Sequence, residues 1–288
     1  MSPTHILLAL FTMVIWGLNF VVGKIGLAEL PPMLLIGLRF ALVAVLLVAF
    51  VPRPKGQMLQ ILGLSVTMGS LHFSLMFTGL RDVDAAVAAI AVQAQVPFSS
   101  LLAAMFFGDR IGWRRTVAMI VAFAGIALIA GEPRMETRLA PLAMVIVASF
   151  LWAIGNIQIK QMGELNEFST NAWVALFTAP QLLIGSALFE SGQIEAMAGA
   201  SLLAWGSIGF MAIFVTIVGY GVWYYLIPRY PVNQTMPFLL LMPIFGVLFG
   251  VVLLDELLTW QMVAGGVLTI AGVGVIVLRR PKLAEPEV

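Results

Sequence analysis

The sequence predicts an all-α integral membrane protein in which ten transmembrane helices form two five-helix repeats of opposite orientation. Three observations carry this prediction: an apolar composition, ten apolar runs of membrane-spanning length, and a duplication of half of the chain. Of the 288 residues, 61% are hydrophobic and 10% are charged, whereas about 25% of residues are charged in an ordinary soluble domain. With so few charges the chain cannot cover a soluble fold with polar surface, so a membrane environment follows.

Ten apolar runs are separated by clusters of charged residues, proline and glycine. A helix that crosses a bilayer needs about 20 mostly apolar residues, and each run approaches that length. The predicted spans are 6–27, 32–50, 58–80, 83–107, 115–130, 142–159, 170–189, 203–227, 232–254 and 260–278. The connections are short, so almost no mass is expected outside the membrane.

The second half of the chain repeats motifs of the first half. Trp16-Gly-Leu-Asn-Phe, followed by Lys24, recurs as Trp152-Ala-Ile-Gly-Asn, followed by Lys160. Similarity at a long offset indicates that a whole structural unit was duplicated.

A second motif, 97–109, recurs at 243–255. We predict that residues 1–138 form the first five-helix repeat and residues 139–288 the second, which ends in a short basic C-terminal tail. Because each repeat holds an odd number of spans, the two copies cross the bilayer in opposite directions, as in many transporters.

The lysines and arginines fall unevenly on the two sides of the predicted membrane. Cytoplasmic loops carry an excess of these residues, and the side that carries the N-terminus holds ten of them, against four on the other side. The ten are Arg53, Lys55, Arg110, Arg114, Arg115, Lys160, Arg229, Arg279, Arg280 and Lys282. Both termini are therefore expected to be cytoplasmic.

The sequence lacks the signatures of several other classes of protein. There is no cysteine and there are two histidines, His5 and His72, so we expect no metal site and no catalytic triad. No phosphate-binding loop, HExxH or GxSxG motif occurs, and no cofactor is expected. The net charge of +1 excludes an extended basic surface for nucleic acid. We expect a protein without enzymatic activity.

The fourteen acidic residues all map to loops or to the ends of spans. Carriers coupled to protons or sodium commonly place a carboxylate inside the bilayer, where its cost marks function. The usual coupling residue is thus missing, which indicates weak or unconventional coupling, or facilitated export.

Aromatic and amide side chains form matching stripes in the first and sixth spans. Trp16, Asn19 and Phe20 share one face of the first span, and Trp152 and Asn156 repeat the pattern in the sixth. These stripes predict the lining of a cavity. The alternative is tight interhelical packing with asparagine as the hydrogen-bonding residue.

Arg39 and His72 are predicted inside the second and third spans, about 12 Å from the outer ends at the helical rise of 1.5 Å per residue. A buried guanidinium without an acidic partner needs backbone carbonyls, water or an anionic ligand. Arg39 is therefore a candidate receptor for a substrate carboxylate or, alternatively, a structural clamp. For His72 the favoured alternative is an interior histidine that is satisfied by the protein.

Gln93 and Gln95 are predicted to project to nearly opposite faces of the fourth span. Pro97 lies just beyond them, and Pro243 lies at the matching place in the ninth span. A proline removes one helical hydrogen bond and clashes with the preceding turn, so both spans should kink. Matching kinks in inverted repeats point to a binding site or hinge, and improved packing is the alternative.

Aromatic residues of the eighth span are predicted to have two different roles. Tyr220 is interior to the span and is a candidate for the cavity. Trp223, Tyr224 and Tyr225 approach the cytoplasmic end, where an interfacial aromatic belt is the favoured interpretation.

Small residues in the fifth and tenth spans predict close helix packing, within the chain or between subunits. They are Ala118, Ala122, Gly125, Gly265, Thr269 and Gly272. Because these two spans carry little polarity, we place both at the periphery, away from the substrate.

Several of these motifs occur in order along the chain and resemble those of the EamA family of the drug/metabolite transporter superfamily. They are Trp16-Gly-Leu-Asn-Phe-Val-Val-Gly-Lys, Gly37-Leu-Arg-Phe, Phe107-Gly-Asp-Arg, Val218-Gly-Tyr-Gly-Val-Trp and Leu254-Asp-Glu-Leu-Leu-Thr. The resemblance runs from Thr4 to Leu278, and within the family the chain is similar to bacterial inner-membrane exporters of amino acids, including the YddG-type exporters.

The resemblance implies inverted-topology repeats around a central cavity, with a location in the bacterial inner membrane. It also suits the predicted substrate-binding residues, which are Trp16, Asn19, Phe20, Arg39, His72, Met76, Gln93, Gln95, Trp152, Asn156 and Tyr220. It implies a small-molecule substrate and a lipid bilayer as the partners of a monomer or weak homodimer.

The leading hypothesis is a secondary transporter that exports small metabolites, neutral or aromatic amino acids above all, by alternating access. Methionines 13, 68, 76 and 242 would add an adaptable apolar lining. The alternatives are a broad-specificity exporter of drugs or toxic metabolites and, more distantly, an intramembrane lipid-modifying enzyme.

The two repeats differ at positions that matter for recognition. Asn19 aligns with Gly155, and Gln93 aligns with Leu239. We expect an asymmetric solute to be recognised where one half is polar and the other apolar.

Overall fold

The computed structural model describes residues 1–54, 56–109, 111–163, 166–226, 229–230 and 232–278. All regular secondary structure in these ranges is helical, and ten helices are long and apolar enough to cross a membrane. They are α1 (Pro3–Leu27), α2 (Pro32–Phe50), α3 (Met58–Asp82), α4 (Ala85–Phe107), α5 (Trp113–Ala130), α6 (Leu139–Met162), α7 (Phe168–Phe189), α8 (Leu202–Trp223), α9 (Met236–Leu254) and α10 (Trp260–Leu278).

The predicted fold class is confirmed, and the predicted span ends differ from the observed ones by a few residues. The largest shifts are at the end of α8 and at the start of α9, where Val232–Thr235 forms a separate helical turn. A short helix, Gln193–Gly199, precedes α8 and was not predicted. The predicted basic tail, 279–288, lies outside the described residues.

The helices pack in a pattern that repeats between the two halves. Helix α1 packs against α8 and α9, and its counterpart α6 packs against α3 and α4. Three further close pairs, α2 with α7, α4 with α9 and α5 with α10, join counterparts directly. This is the contact pattern of inverted repeats related by a two-fold axis in the membrane plane.

The small residues of α5 and α10 bring these two helices into backbone contact. A Cβ added to Gly125 would lie 2.4 Å from the Gly265 carbonyl oxygen, and one added to Gly272 would lie 2.5 Å from that of Ala118. The Thr269 hydroxyl donates to the Ala122 carbonyl oxygen across the pair at 3.3 Å. The predicted close packing is therefore between helices of one chain.

Four helices contain irregular segments at matching places in the two halves. Ser65–Leu71 of α3 and Met211–Gly219 of α8 are wound as π-helix, and Val92–Ala94 of α4 and Met236–Leu240 of α9 are wound as 3₁₀-helix. The π segments begin 146 residues apart, the same offset as the two prolines. Such segments occur often at functional sites, and here they belong to the duplicated unit.

Helices α2 and α4 begin without a capping side chain of their own. Pro31 and Asp84 occupy their N-cap positions, and neither accepts a capping hydrogen bond. The first N–H groups of a helix have no partner within the helix, so these two starts depend on groups from elsewhere in the chain.

Candidate functional site

A cavity of about 480 Å³ lies between the two halves and is lined by residues from every helix except α5. Its size is within the range of small-molecule binding sites. We call the face of the molecule that carries Met1 the inner face, and the opposite one the outer face.

All eleven residues predicted to bind substrate lie in the wall of this one cavity. They are Trp16, Asn19, Phe20, Arg39, His72, Met76, Gln93, Gln95, Trp152, Asn156 and Tyr220. They come from six helices and are brought together by the packing of the two repeats. Contact with a substrate remains a prediction for each of them.

One side of the cavity is an aromatic cluster on α1 and α8. The Trp16 ring lies 5.2 Å from that of Tyr220 and 5.8 Å from that of Trp223, between centroids. The Trp16 indole N–H donates to the Val215 carbonyl oxygen at 3.2 Å. The interpretation of Trp223 as part of an interfacial belt is wrong, because its ring is 6% exposed and lines the cavity.

A second aromatic cluster surrounds His72. The His72 ring lies 4.7 Å from Phe73 and 4.9 Å from Trp152, between centroids. Its Nδ1 lies 2.7 Å from the Ala148 carbonyl oxygen, which can only accept, so Nδ1 carries the proton and Nε2 of the neutral ring is an acceptor. The protein thus satisfies one side of the ring, as the structural alternative predicts, while the residue still lines the cavity.

Arg39 is 2% exposed and is held from one side only. Its Nε and Nη2 donate to the Thr216 hydroxyl oxygen at 3.3 and 2.9 Å, and that hydroxyl donates to the Met211 carbonyl oxygen at 3.0 Å. The guanidinium carbon lies 5.2 Å from the centre of the Phe73 ring. Nη1 has no hydrogen-bond partner, so one edge of the guanidinium remains available.

No carboxylate is found among the described residues that line the cavity, and Arg39 is the one arginine or lysine in that set. A cation in an apolar, aromatic wall without a carboxylate nearby favours an anionic group on the solute.

Gln93 and Gln95 both line the cavity, which corrects the expectation of opposite faces. Gln93 lies in the 3₁₀ segment Val92–Ala94, and Gln95 begins the regular helix that follows. Because 3₁₀-helix has three residues per turn, the faces of α4 shift relative to the uninterrupted helix that the sequence suggests.

The two asparagines of the matched stripes differ in their surroundings. The Asn156 amide Nδ2 donates to the Ser99 hydroxyl at 3.3 Å. Asn19 has a buried side-chain oxygen, Oδ1, without a hydrogen-bond partner. The alternative interpretation, in which both amides serve only to join helices, therefore does not hold for Asn19, because its Oδ1 binds no neighbouring helix.

Pro97 and Pro243 are buried and lie directly beyond the two 3₁₀ segments. Neither lines the cavity, but the residues just before each of them do, including Val96 and Met242. The irregular winding agrees with the predicted loss of regular helix near each proline. A hinge at these positions remains a prediction.

Some lining residues were not anticipated. Leu64 and Met68 precede His72 on α3 at four-residue spacing, so the helical period from His72 could have identified them. Thr170 and Asn171 of α7, near the inner face, carry no comparable signal.

The predicted position of helix α10 relative to the cavity was also wrong. Its residues Val273 and Val277 belong to the wall, so the assignment of α10 to the periphery is wrong. Met13, predicted as lining, is fully buried in the packing elsewhere.

Several lining residues near the inner face are partly exposed whereas those nearest the outer face are buried, which indicates that the cavity opens toward the inner face. Lining residues in its outer part, such as Phe77 and Leu80, are at most 1% exposed. Lining residues near the inner ends of α6, α7 and α10, such as Ile159, Val174 and Val277, are partly exposed.

Three glutamates close the outer face by reaching across the two halves. Glu190 accepts the Met33 and Leu34 N–H groups at 2.7 and 3.1 Å, at the start of α2. Glu256 accepts those of Ala85 and Ala86 at 2.6 and 2.9 Å, at the start of α4. Both of these helix starts lack a capping side chain of their own.

Glu29 completes this set from the first half. It accepts the Ser201 N–H and hydroxyl, both at 2.6 Å, just before α8. We call the contacts of Glu29, Glu190 and Glu256 the outer clasp. The Ser201 hydroxyl first, and then its N–H, hold the Glu29 pKa below the usual value for a glutamate.

Comparison with known proteins identifies relatives along the whole chain. The model of the EamA-like transporter family matches residues 3–131 and 139–278. Proteins named "Probable amino-acid metabolite efflux pump" in Salmonella typhimurium strain LT2 and in Escherichia coli strain K12 are each 34% identical over 281 residues, covering 94% of both chains. An "Uncharacterized transporter" of Archaeoglobus fulgidus is 30% identical over 287 residues, covering 96% of this chain and 99% of that one.

A solved crystal structure shares the fold. It superposes with a TM-score of 0.65 over 96% of both chains at 15% sequence identity. The duplicated match, the identity to transporters over nearly the full length and the ten helices agree with one another. The chain belongs to the EamA-like transporter family, and it is a multi-pass membrane transporter and not an enzyme.

Proposed function

We propose that this protein exports neutral or aromatic amino acids, or closely related metabolites, by alternating access. The observation that carries the proposal is the cavity, which combines aromatic walls with the single cation Arg39 and holds no carboxylate among its described lining residues. The names of the Salmonella typhimurium and Escherichia coli relatives support the same substrate class.

The cavity wall offers complementary groups for both parts of such a solute. Trp16, Tyr220 and Trp223 provide an apolar aromatic surface for the side chain. Arg39 provides a charge for the carboxylate, and a charge-assisted hydrogen bond is about twice as strong as a neutral one. We propose that the other predicted lining residues, named above, complete the site.

The direction in which the cavity opens is consistent with export. We propose that the inner face is cytoplasmic, so both termini are cytoplasmic, as the distribution of lysine and arginine favours. The protein would then load its solute from the cytoplasm across the bacterial inner membrane.

Alternating access requires the two halves to move against each other. We propose residues 1–138 and 139–288 as the moving repeats, and the irregular segments next to Pro97 and Pro243 as their hinges. The structure encloses the cavity within one chain, which supports a monomer or a weak homodimer as the working unit.

A broad-specificity exporter of lipophilic cations is the second candidate, since the aromatic wall also suits flat apolar solutes. The absence of a carboxylate from the described wall disfavours it, because a desolvated cation needs a counter-charge.

Counterflow in proteoliposomes tests the proposal. Liposomes that contain the purified protein are loaded with unlabelled solute. They are then exposed to labelled amino acids, nucleosides or lipophilic cations. We expect L-phenylalanine and neutral amino acids to exchange, and cations to exchange at the rate of protein-free liposomes. Exchange of cations with no exchange of amino acids would establish the second candidate instead.

A further inference from the structure

Resting on the proposed function, we propose that Asn19 and Arg39 together form a receptor for the head group of an α-amino acid. Arg39 Nη1 binds the carboxylate, and Asn19 Oδ1 binds the ammonium group. The substrate class is then narrower than amino-acid metabolites in general: the solute must carry both a free carboxylate and a free amino group.

Two buried polar atoms without partners carry this inference. Among the described residues, three buried side-chain atoms lack a hydrogen-bond partner: Asn19 Oδ1, Arg39 Nη1 and Arg115 Nε. Arg115 lies in α5, the one spanning helix that does not line the cavity. The other two both belong to the cavity wall. Buried polar groups in native proteins are nearly always paired, so these two atoms mark where a ligand supplies the missing partners.

The two atoms have opposite requirements. Arg39 Nη1 is a positively charged donor and needs an acceptor, which a carboxylate supplies best. Asn19 Oδ1 is an amide oxygen and needs a donor, which an ammonium group supplies. One amino acid head group meets both requirements.

The packing of α1 against α2 places the two residues at neighbouring levels. A Cβ added to Gly26 of α1 would lie 2.8 Å from Leu35 of α2, so the helices touch there. Asn19 lies seven residues before Gly26, and Arg39 four residues after Leu35, and both steps return to nearly the same helix face. At 1.5 Å per residue, Asn19 lies about 10.5 Å from Gly26 and Arg39 about 6 Å from Leu35, both toward the inner face. The two positions therefore differ in level by about 4.5 Å along the helix axes.

The neighbours of Arg39 leave it suited to this role. Thr216 holds Nε and Nη2, and the Phe40 and Phe73 rings lie 5.5 and 5.2 Å from the guanidinium carbon. These contacts fix the guanidinium plane and leave Nη1 for the solute. Because the described wall contains no carboxylate, the protein offers no competing anion there.

The second half offers no equivalent of Asn19. The aligned residue is Gly155, and a Cβ at that position would lie 2.6 Å from the Met68 side chain. An amide therefore cannot be accommodated there without repacking. The head group is recognised at one end only, which gives the solute a single orientation in a cavity between two similar halves.

Binding of four probes to the purified full chain tests the proposal. The probes are L-phenylalanine, phenylalaninamide, which lacks the carboxylate, N-acetyl-L-phenylalanine, which lacks the ammonium group, and phenethylamine. Dissociation constants are measured by titration calorimetry in detergent. We expect L-phenylalanine to bind at least about tenfold more tightly than the other three, because an unmet buried group costs about 1–3 kcal/mol, which corresponds to about 5- to 150-fold in affinity.

Two variants separate the two roles. Asn19→Leu should weaken the binding of L-phenylalanine by about tenfold. It should leave the binding of N-acetyl-L-phenylalanine unchanged, since that probe has no ammonium group for Asn19 to contact. Arg39→Lys keeps a positive charge in the buried site, and should weaken L-phenylalanine and N-acetyl-L-phenylalanine while leaving phenylalaninamide unchanged. Asn156→Leu is the matched comparison, because it removes an amide from the same cavity, and any loss of affinity that it causes should be the same for all four probes.

Each outcome decides a separate point. If Asn19→Leu weakens L-phenylalanine and its N-acetyl form equally, Asn19 does not bind the ammonium group and the paired receptor is wrong. If the wild-type protein binds L-phenylalanine but Arg39→Lys weakens the binding of phenylalaninamide as much as that of L-phenylalanine, the proposed role of Arg39 is wrong and the exporter proposal stands. If the folded wild-type protein neither binds nor exchanges any amino acid, the proposed function fails and the receptor fails with it.

Discussion

The outer and inner faces of the molecule are built from equivalent helices but are joined across the halves by different chemistry. On the outer face, Glu190 beyond α7 accepts two N–H groups at the start of α2. On the inner face, the equivalent contact is made by the Pro52 carbonyl oxygen beyond α2, which accepts from the Ser169 hydroxyl and, at 3.3 Å, from the Trp173 indole N–H of α7. A carboxylate in one half is thus matched by a neutral carbonyl in the other.

The same contrast holds at the other contacts between the halves. Gln57 and Met162 are joined on the inner face by a neutral amide-to-carbonyl bond of 3.1 Å. Carboxylates at helix starts gain both from charge-assisted hydrogen bonding and from the positive end of the helix dipole. We expect this difference to favour closure of the outer face over closure of the inner face.

The largest expected effect comes from removing the two half-buried carboxylate charges of the outer clasp, as Glu190→Gln with Glu256→Gln. Each carboxylate makes two charge-assisted bonds, and hydrogen bonds to charged groups contribute about 1.5–3 kcal/mol each. Loss of even 1.4 kcal/mol shifts an equilibrium about tenfold, so the outer face should open at least about tenfold more often. The natural absence of cysteine allows a single reporter, Val92→Cys, in the outer part of the wall. Its labelling by an impermeant thiol reagent applied to the outer face is the measurement.

The matched control for this experiment is Trp173→Phe, which removes a neutral inner-face bond. Because an inner-face contact does not hold the outer face closed, labelling of Val92→Cys should stay within about twofold of its reference rate, a change of less than about 0.5 kcal/mol. If Trp173→Phe accelerated the outer labelling of Val92→Cys as much as the double glutamate variant does, the proposed difference between the contacts of the two faces would be wrong.

A smaller effect is expected from Gly250→Ala. A Cβ at this position would lie 2.4 Å from Oε2 of Glu256, so the carboxylate must move away from the start of α4. Outer labelling of Val92→Cys should rise about three- to tenfold, as expected for weakening one charged contact. Gly206→Ala is the control, because nothing lies within 4 Å of its added Cβ. An unchanged rate in Gly250→Ala would show that Glu256 can shift without loss of closure.

The smallest effect is expected from Glu29→Gln. This carboxylate is exposed, so solvent screens its contact with Ser201, and exposed charged contacts contribute little. Outer labelling should rise no more than about threefold. Ser201 lowers the Glu29 pKa. The contact is therefore fully present at any pH above the usual pKa of a glutamate, and it is lost only as the pH falls through the lowered pKa. Thiol labelling, corrected for thiol ionisation, should therefore not change between pH 7 and pH 5 because of Glu29. A large change that Glu29→Gln abolishes would contradict this.

Much of the fold could be predicted because the bilayer leaves few options. A membrane-crossing segment must satisfy its backbone internally and must be apolar over about 20 residues, so composition and spacing indicate ten helices. The duplication then determines which helices are counterparts. The composition of the cavity wall was also largely predictable, because polar side chains inside a span are expensive and face the protein interior.

The errors have local physical causes. Gln93 and Gln95 share the cavity because 3₁₀ winding shifts the faces of α4. Trp223 joins the cluster with Trp16 because Gly219 leaves room there: a Cβ at Gly219 would lie 2.5 Å from Trp16 Nε1. Neither the winding of a helix turn nor the room beside a glycine can be read from hydrophobic periodicity alone.

The sequence by itself determined the number of spans, the duplication and the residues that are polar inside the membrane, because each of these follows from composition and local spacing. Only the tertiary structure decided which face is closed and which polar atoms lack partners. The carboxylate of Glu256 and the N–H groups it caps are more than 150 residues apart in the chain, and Arg39 is separated from Thr216 by a similar distance. Contacts of this kind depend on how the two halves pack, which local sequence does not specify.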